Sequence, residues 1–240
     1  MISGSKATEQ AFRTEAGRHR WIHVATHGFF APETVASALN RTTEGKQPAS
    51  ALLSETANDV REIEPGLLSG IALAGANRKA AAEASATSGI DKEPDDGIMT
   101  ALEVEGLDLA DVDLVVLSAC ETGLGKSAGG EGVLGLQRAF QLAGAKTCVT
   151  SLWKVDDTAT QVLMQEFYGN LWGIDPATKK PRKKLGKLEA LKQAQLKMLR
   201  DYDPGQKKLR GLDLPADTAN SPERGSPFYW AAFVLSGDWR

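Results

Sequence analysis

One cysteine and one histidine stand where a chain can expose a reactive side chain. Cys120 closes the apolar run Leu114-Val115-Val116-Leu117-Ser118-Ala119 and opens the small-residue stretch Glu121-Thr122-Gly123-Leu124-Gly125. His27 ends Trp21-Ile22-His23-Val24-Ala25-Thr26 and precedes Gly28. A thiol becomes a useful nucleophile at neutral pH only when a base or a positive group favours its thiolate. Cys120 and His27 at the carboxyl ends of neighbouring strands supply that pair, which is the chemistry of a cysteine peptidase. The N–H groups of Gly28 and Cys120 would then hold the oxyanion.

Other residues offer rival chemistries. Cys148 sits mid-strand between Thr147 and Val149, with no loop beside it, and reads as structural. His19, His23 and His27 fall four apart, a spacing that on a helix would suit a metal. The residues between them include Trp21, Ile22, Val24 and Thr26, which favour a strand, so no metal site is expected and His23 reads as a packed, hydrogen-bonded side chain. Gly123-Leu124-Gly125-Lys126-Ser127 partly matches a phosphate-cradling loop, but Cys120 stands where the first glycine belongs. A nucleotide-binding domain using Lys126 is therefore the second alternative. Glu131, Asp156 and Asp157 lie near predicted strand ends. They read either as helix-cap and dipole partners or as the acidic lining of a pocket for a basic side chain.

The elements must bring these residues together. The 240 residues suit one sizeable α/β domain. Charged residues make up 25% and the net charge is -3, which gives no field to draw in nucleic acid or an anionic membrane. With two cysteines, disulfides are not the framework, and a reducing, cytoplasmic setting fits. No apolar run approaches the roughly 20 residues that span a bilayer. Strands are expected at Trp21–Thr26, Leu67–Ala74, Leu114–Ala119, Lys146–Trp153 and Phe228–Leu235. Trp21–Thr26 and Leu114–Ala119 read as buried parallel strands. Helices are expected over 5–18, from Thr100 with Glu103 at capping-box spacing, over 132–143, from Asp157 or Thr158 to Trp172, and from Lys184 to Arg200. Leu185, Leu188, Leu191, Leu196 and Leu199 would face the core of the last. Strands alternating with helices imply a mostly parallel sheet covered on both faces, with sites beyond the strands' carboxyl ends.

Five blocks carry a family resemblance. They are His-Val-Ala-Thr-His-Gly at 23–28, Leu-Ser-Ala-Cys-Glu-Thr-Gly at 117–123, Gly-Glu-Gly-Val-Leu-Gly-Leu-Gln-Arg-Ala-Phe at 130–140, Ser-Leu-Trp-Lys-Val-Asp-Asp at 151–157 and Trp-Ala-Ala-Phe-Val-Leu-Ser-Gly-Asp at 230–238. In this order they resemble the CHAT domain, the caspase-like domain often found behind tetratricopeptide repeats. The resemblance implies a caspase-haemoglobinase-like three-layer α/β/α sandwich with a mostly parallel central sheet, here lacking an N-terminal strand. It implies a clan shared with caspases, metacaspases and separase, and His27 with Cys120 as the dyad. The 151–157 block resembles the separase segment that lines an acidic pocket for a basic P1 residue, which points to Asp157, then Asp156. Cys120 lies 93 residues after His27, against about 50 in caspases, and a long polar insertion at 31–99 absorbs the excess.

The expected activity is peptide-bond hydrolysis in a protein or peptide substrate, with no metal or organic cofactor. A repeat-domain or regulatory protein is the further partner expected; nucleic acid and membrane are not. The first alternative is a catalytically silent caspase-like interaction module.

Overall fold

The computed structural model describes residues 1–30, 67, 69–76, 96–118, 131–153, 156–205, 208–209 and 225–240. After a short helix α1 (Glu9–Glu15), strand β1 (Trp21–Ala25) runs parallel to β5 (Leu114–Ser118), and β5 runs parallel to β6 (Thr147–Ser151). The last strand, β9 (Phe233–Gly237), pairs antiparallel with β6, giving the order β1-β5-β6-β9. A second, antiparallel sheet joins β2 (His27–Phe30), β3 (Ser69–Ala72) and β4 (Ile98–Thr100). Helices lie on both faces of the main sheet, an arrangement compatible with a three-layer sandwich. No helix among the described residues is long and apolar enough to cross a membrane.

Residue type explains each layer. The run Leu114-Val115-Val116-Leu117 is buried throughout, as expected of an apolar, β-branched strand covered on both sides. Val115 and Leu117 face one core with Ile71, Met99, helix α2 (Ala101–Glu105) and helix α3 (Glu131–Leu142). Leu114 and Val116 face the other, built from helix α4 (Asp157–Trp172) and helix α5 (Lys187–Asp201). Thr100 caps α2 through a reciprocal capping box with Glu103. Gly144, at φ +110, ends the turn after α3; a Cβ there would lie 2.8 Å from the Ala110 nitrogen, so only glycine fits this close approach.

Four local expectations are corrected. β1 is an edge strand, not a buried one: among the described residues it pairs only with β5. Val24 is buried, but Trp21, His23 and Ala25 are exposed. The expected strand at Phe228–Leu235 begins as a helical turn, α6 (Pro227–Trp230), before β9 starts at Phe233. Proline at the first helical position presets the turn and overrides the strand preference of Phe228-Tyr229-Trp230. The cap of α4 is Asp156, not Asp157 or Thr158. The core face of α5 is Ala190, Leu191, Ala194 and Met198, while Leu188 is 46% exposed. Small residues on that face let α5 lie close against α4, which the leucine spacing alone did not convey.

A buried ionic cluster ties the amino ends of the strands together. Lys187 Nζ donates to Asp113 Oδ1 and to Thr147 Oγ1, both at 2.9 Å. Arg20 also pairs with Asp113, across 3.2 Å. Lys187 is 5% exposed, so its ammonium depends on these partners.

Candidate functional site

The register of the main sheet relates the segments that lead to His27 and Cys120. Ala25 is paired with Ser118. His27 and Cys120 each come two residues after these partners. Paired strands lie about 4.8 Å apart, so both segments leave the sheet from neighbouring points at its carboxyl end. Thr26 is the single residue between β1 and β2. Its hydroxyl donates to the Ala72 carbonyl, which fixes the turn where the chain passes from the large sheet to the small one. His27 opens β2 opposite Ala72 and is exposed; Gly28 follows opposite Ile71 and is buried. Cys120 and the Gly123–Ser127 stretch with Lys126 lie outside the described residues. Glu131 opens α3, and its side chain is likewise outside them.

The other two histidine and cysteine calls fall on described residues. Cys148 is fully buried, its Sγ 3.8 Å from the Gln137 carbonyl oxygen, and burial pushes its thiol up to about 12. That is a packed, unreactive thiol, as its mid-strand position suggested. His23 lies within β1, so His19, His23 and His27 do not share a helical face. Its Nδ1 is 2.8 Å from the Tyr168 hydroxyl. One side of the residue is open to solvent, yet the ring lies against Tyr168, with centroids 5.7 Å apart. Desolvation on that side holds the imidazole below its usual value.

The segment after β6 carries the acids. Leu152 extends the ladder, its N–H donating to the Ala232 carbonyl at 2.9 Å. The Trp153 indole then reaches the Phe228 carbonyl at 3.5 Å. Asp156 Oδ1 accepts from the Ala159 N–H at 2.9 Å as the N-cap of α4. Asp156 is half-buried, whereas Asp157 is exposed. The two adjacent acids are thus not equivalent.

Sequence reasoning missed the aromatic residues that meet this segment. Tyr202, in the short strand β7 (Tyr202–Asp203) paired with β8 (Lys208–Leu209), is 3% exposed. Its ring lies 5.6 Å from that of Tyr229, which in turn meets Phe228 edge-on at 5.1 Å. Burial, and then the negative charge of Asp156, with Tyr229 and Asp203 adding to it, pushes the Tyr202 phenol up to about 12. The available signal was a large aromatic set in the polar run Arg-Asp-Tyr-Asp-Pro-Gly, directly after a helix.

Comparison with known families agrees with the motif reading. The family model described as the CHAT domain matches residues 1–238. A comparison with curated proteins finds no match.

Proposed function

The chain belongs to the CHAT domain family, and from that premise we propose that it is a cysteine endopeptidase acting through His27 and Cys120. The reading takes the two-sheet architecture as a single caspase-haemoglobinase-like domain spanning the chain. The observation that carries it is the β1–β5 register, which starts the His27 and Cys120 segments from paired positions. His27 takes the Cys120 proton, or stabilises the thiolate, and Cys120 attacks the scissile carbonyl. The Gly28 and Cys120 N–H groups hold the oxyanion. His27 then protonates the leaving amine, and water cleaves the thioester. Asp156, Asp157 and Glu131 are the acids proposed to favour a basic P1 residue. The substrate is a protein or peptide, a repeat-domain or regulatory protein is the further partner, and the cytoplasm is the proposed setting.

Peptidyl acyloxymethyl ketones with P1 Arg, Lys, Asp or Leu, followed by mass spectrometry, test the dyad. The expected result is an adduct on Cys120, absent in His27→Ala, with Cys148 unmodified in both. A folded chain that no probe labels would overturn the peptidase reading in favour of a silent interaction module.

A further inference from the structure

The turn that links α4 to α5 is held by its own hydrogen bonds. The Asp175 N–H donates to the Lys180 carbonyl and the Lys179 N–H to the Asp175 carbonyl, both at 2.9 Å. Ile174 and Pro181 form a bridge, and the Arg182 N–H donates to the Gly173 carbonyl at 2.8 Å. The Asp175 carboxylate accepts from the Ala177 and Thr178 N–H groups and from the Thr178 hydroxyl. Arg182 ties the turn to Glu166 Oε2 of α4 at 3.1 Å, and Lys197 of α5 takes the other oxygen at 3.0 Å. Asp175 and Glu166 are thus engaged within the turn. Lys179, Lys180, Lys183 and Lys184 are exposed, and among the described residues none of these ammoniums has an ion-pair partner. Lys179 stands at φ +59, in the left-handed region that side chains disfavour. Glycine or asparagine would fit there more readily, so a cation at this point is set against the local backbone preference.

An apolar strip lies beside these cations. Trp172 stacks on Trp21 of β1 at 5.8 Å and on Tyr168 at 4.9 Å, yet it is 44% exposed; Ile174, two residues on, is 46% exposed. Lys184 borders the strip, since a Cβ at Gly173 would lie 2.6 Å from its Cγ. Exposed apolar side chains rimmed by charge mark an interaction surface. The whole chain carries a net charge of -3, so the lysines make a local field and not a general attraction to polyanions. We propose that the α4–α5 turn docks an acidic segment of a partner protein. Its carboxylates meet Lys179, Lys180, Lys183 and Lys184, and an apolar side chain rests on Trp172 and Ile174. Trp172 already stacks on two rings, so it has little ring face to offer a nucleobase, whereas its edge and Ile174 suit an aliphatic side chain. The surface needs neither His27 nor Cys120.

Fluorescence anisotropy on the full chain tests the surface, in a Cys120→Ala background that keeps the probe intact under the peptidase reading. The probe is a labelled peptide of repeated Glu-Asp-Leu, with its Lys-Arg-Leu counterpart, oligo(dT) and phosphatidylserine vesicles beside it. The acidic peptide should bind best, and its affinity should fall as salt rises from about 50 to about 300 mM. Lys180→Glu combined with Lys183→Glu should weaken it about tenfold or more at low salt. Ile174→Ser should weaken it severalfold even at high salt, because apolar contact is not screened. Lys6→Glu reverses an exposed cation elsewhere, next to the Ala7 carbonyl that accepts from the Ala74 N–H, and should bind like the parent. Lys179→Gly should bind more weakly yet melt no lower than the parent, since glycine accepts the left-handed backbone; a merely structural lysine would not separate the two readouts. No binding of the acidic peptide, equal binding of the basic one, or binding unmoved by the double reversal overturns the surface. Tighter binding of oligo(dT) or of vesicles overturns the protein partner in favour of a nucleic acid or a lipid headgroup. Ketone labelling of Cys120 and peptide binding at this corner succeed or fail independently.

Discussion

At the scale of single residues, environment divides side chains of one type. Cys148 is sealed between Gln137 and the core, and its thiol is held at about 12; a thiol following the strand end, as Cys120 does, has no such burial imposed by its neighbours in sequence. His23 and His27 are four residues apart, but one leans on Tyr168 while the other opens a new strand. The depressed His23 value has a signed consequence. Its folded pKa lies below 6.5, so the unfolded chain binds more protons in the interval between them. Stability from this residue is full above pH 6.5 and falls as the pH drops toward the folded pKa. Urea unfolding at pH 7.5 and 5.5 should show a loss of stability at the lower pH that is smaller in His23→Gln. An equal loss in that variant would assign the effect elsewhere.

At the scale of elements, local chemistry made much of the fold legible. The reach of α4 to Trp172, the capped α2 and the apolar run Leu114–Leu117 of β5 follow from patterns within a dozen residues. Elements whose state depends on distant partners were not legible in the same way. Nothing in Trp21–Ala25 marks β1 as an edge, because an edge is defined by what fails to pair beside it. The strand Ile98–Thr100 is only three residues long and exists through its pairing with β3. Likewise Tyr202 sits in a stretch that reads as loop, and its strand partner Leu209 and the Tyr229 ring of α6 both come from later in the chain. The capping box of α2 does more than end a helix. Glu103 Oε2 accepts from the Thr100 N–H and hydroxyl, while its Oε1 pairs with Arg13 of α1 at 2.8 Å. Thr100→Ala should therefore lower stability by about 1 kcal/mol, measured by urea unfolding. A change near zero would mean that water replaces the threonine without penalty.

At the scale of the whole molecule, the two ends of the main sheet have opposite characters. The amino ends are joined by the cluster of Lys187, Asp113, Thr147 and Arg20. Desolvation alone would raise the Asp113 carboxyl, but the hydrogen bond and charge of Lys187, helped by Trp21 and Arg20, hold it below its usual value. Removing the acid strands a buried ammonium, so Asp113→Ala should cost about 3 kcal/mol or more. Lys187→Met replaces the cation with an apolar chain of similar length and should cost distinctly less. Comparing the two by chemical unfolding tests whether the pair is a stabiliser or mainly a mutual dependence; equal losses would contradict the second view. Two family blocks, at 23–28 and 151–157, were legible because glycine or acids follow the apolar residues where β1 and β6 end; the block at 230–238 instead ends beside the amino end of β6, where Gly237 pairs with Thr147.

The strand switch at Thr26 places His27 in the small sheet, while Cys120 follows a strand of the large one. The distance between the proposed base and nucleophile is therefore set by how the two sheets pack in their shared core, not by either sheet alone. Under the peptidase reading, the core residues Ile71 and Met99 that join the small sheet to Val115 and Leu117 would thus set the spacing of the dyad without touching it.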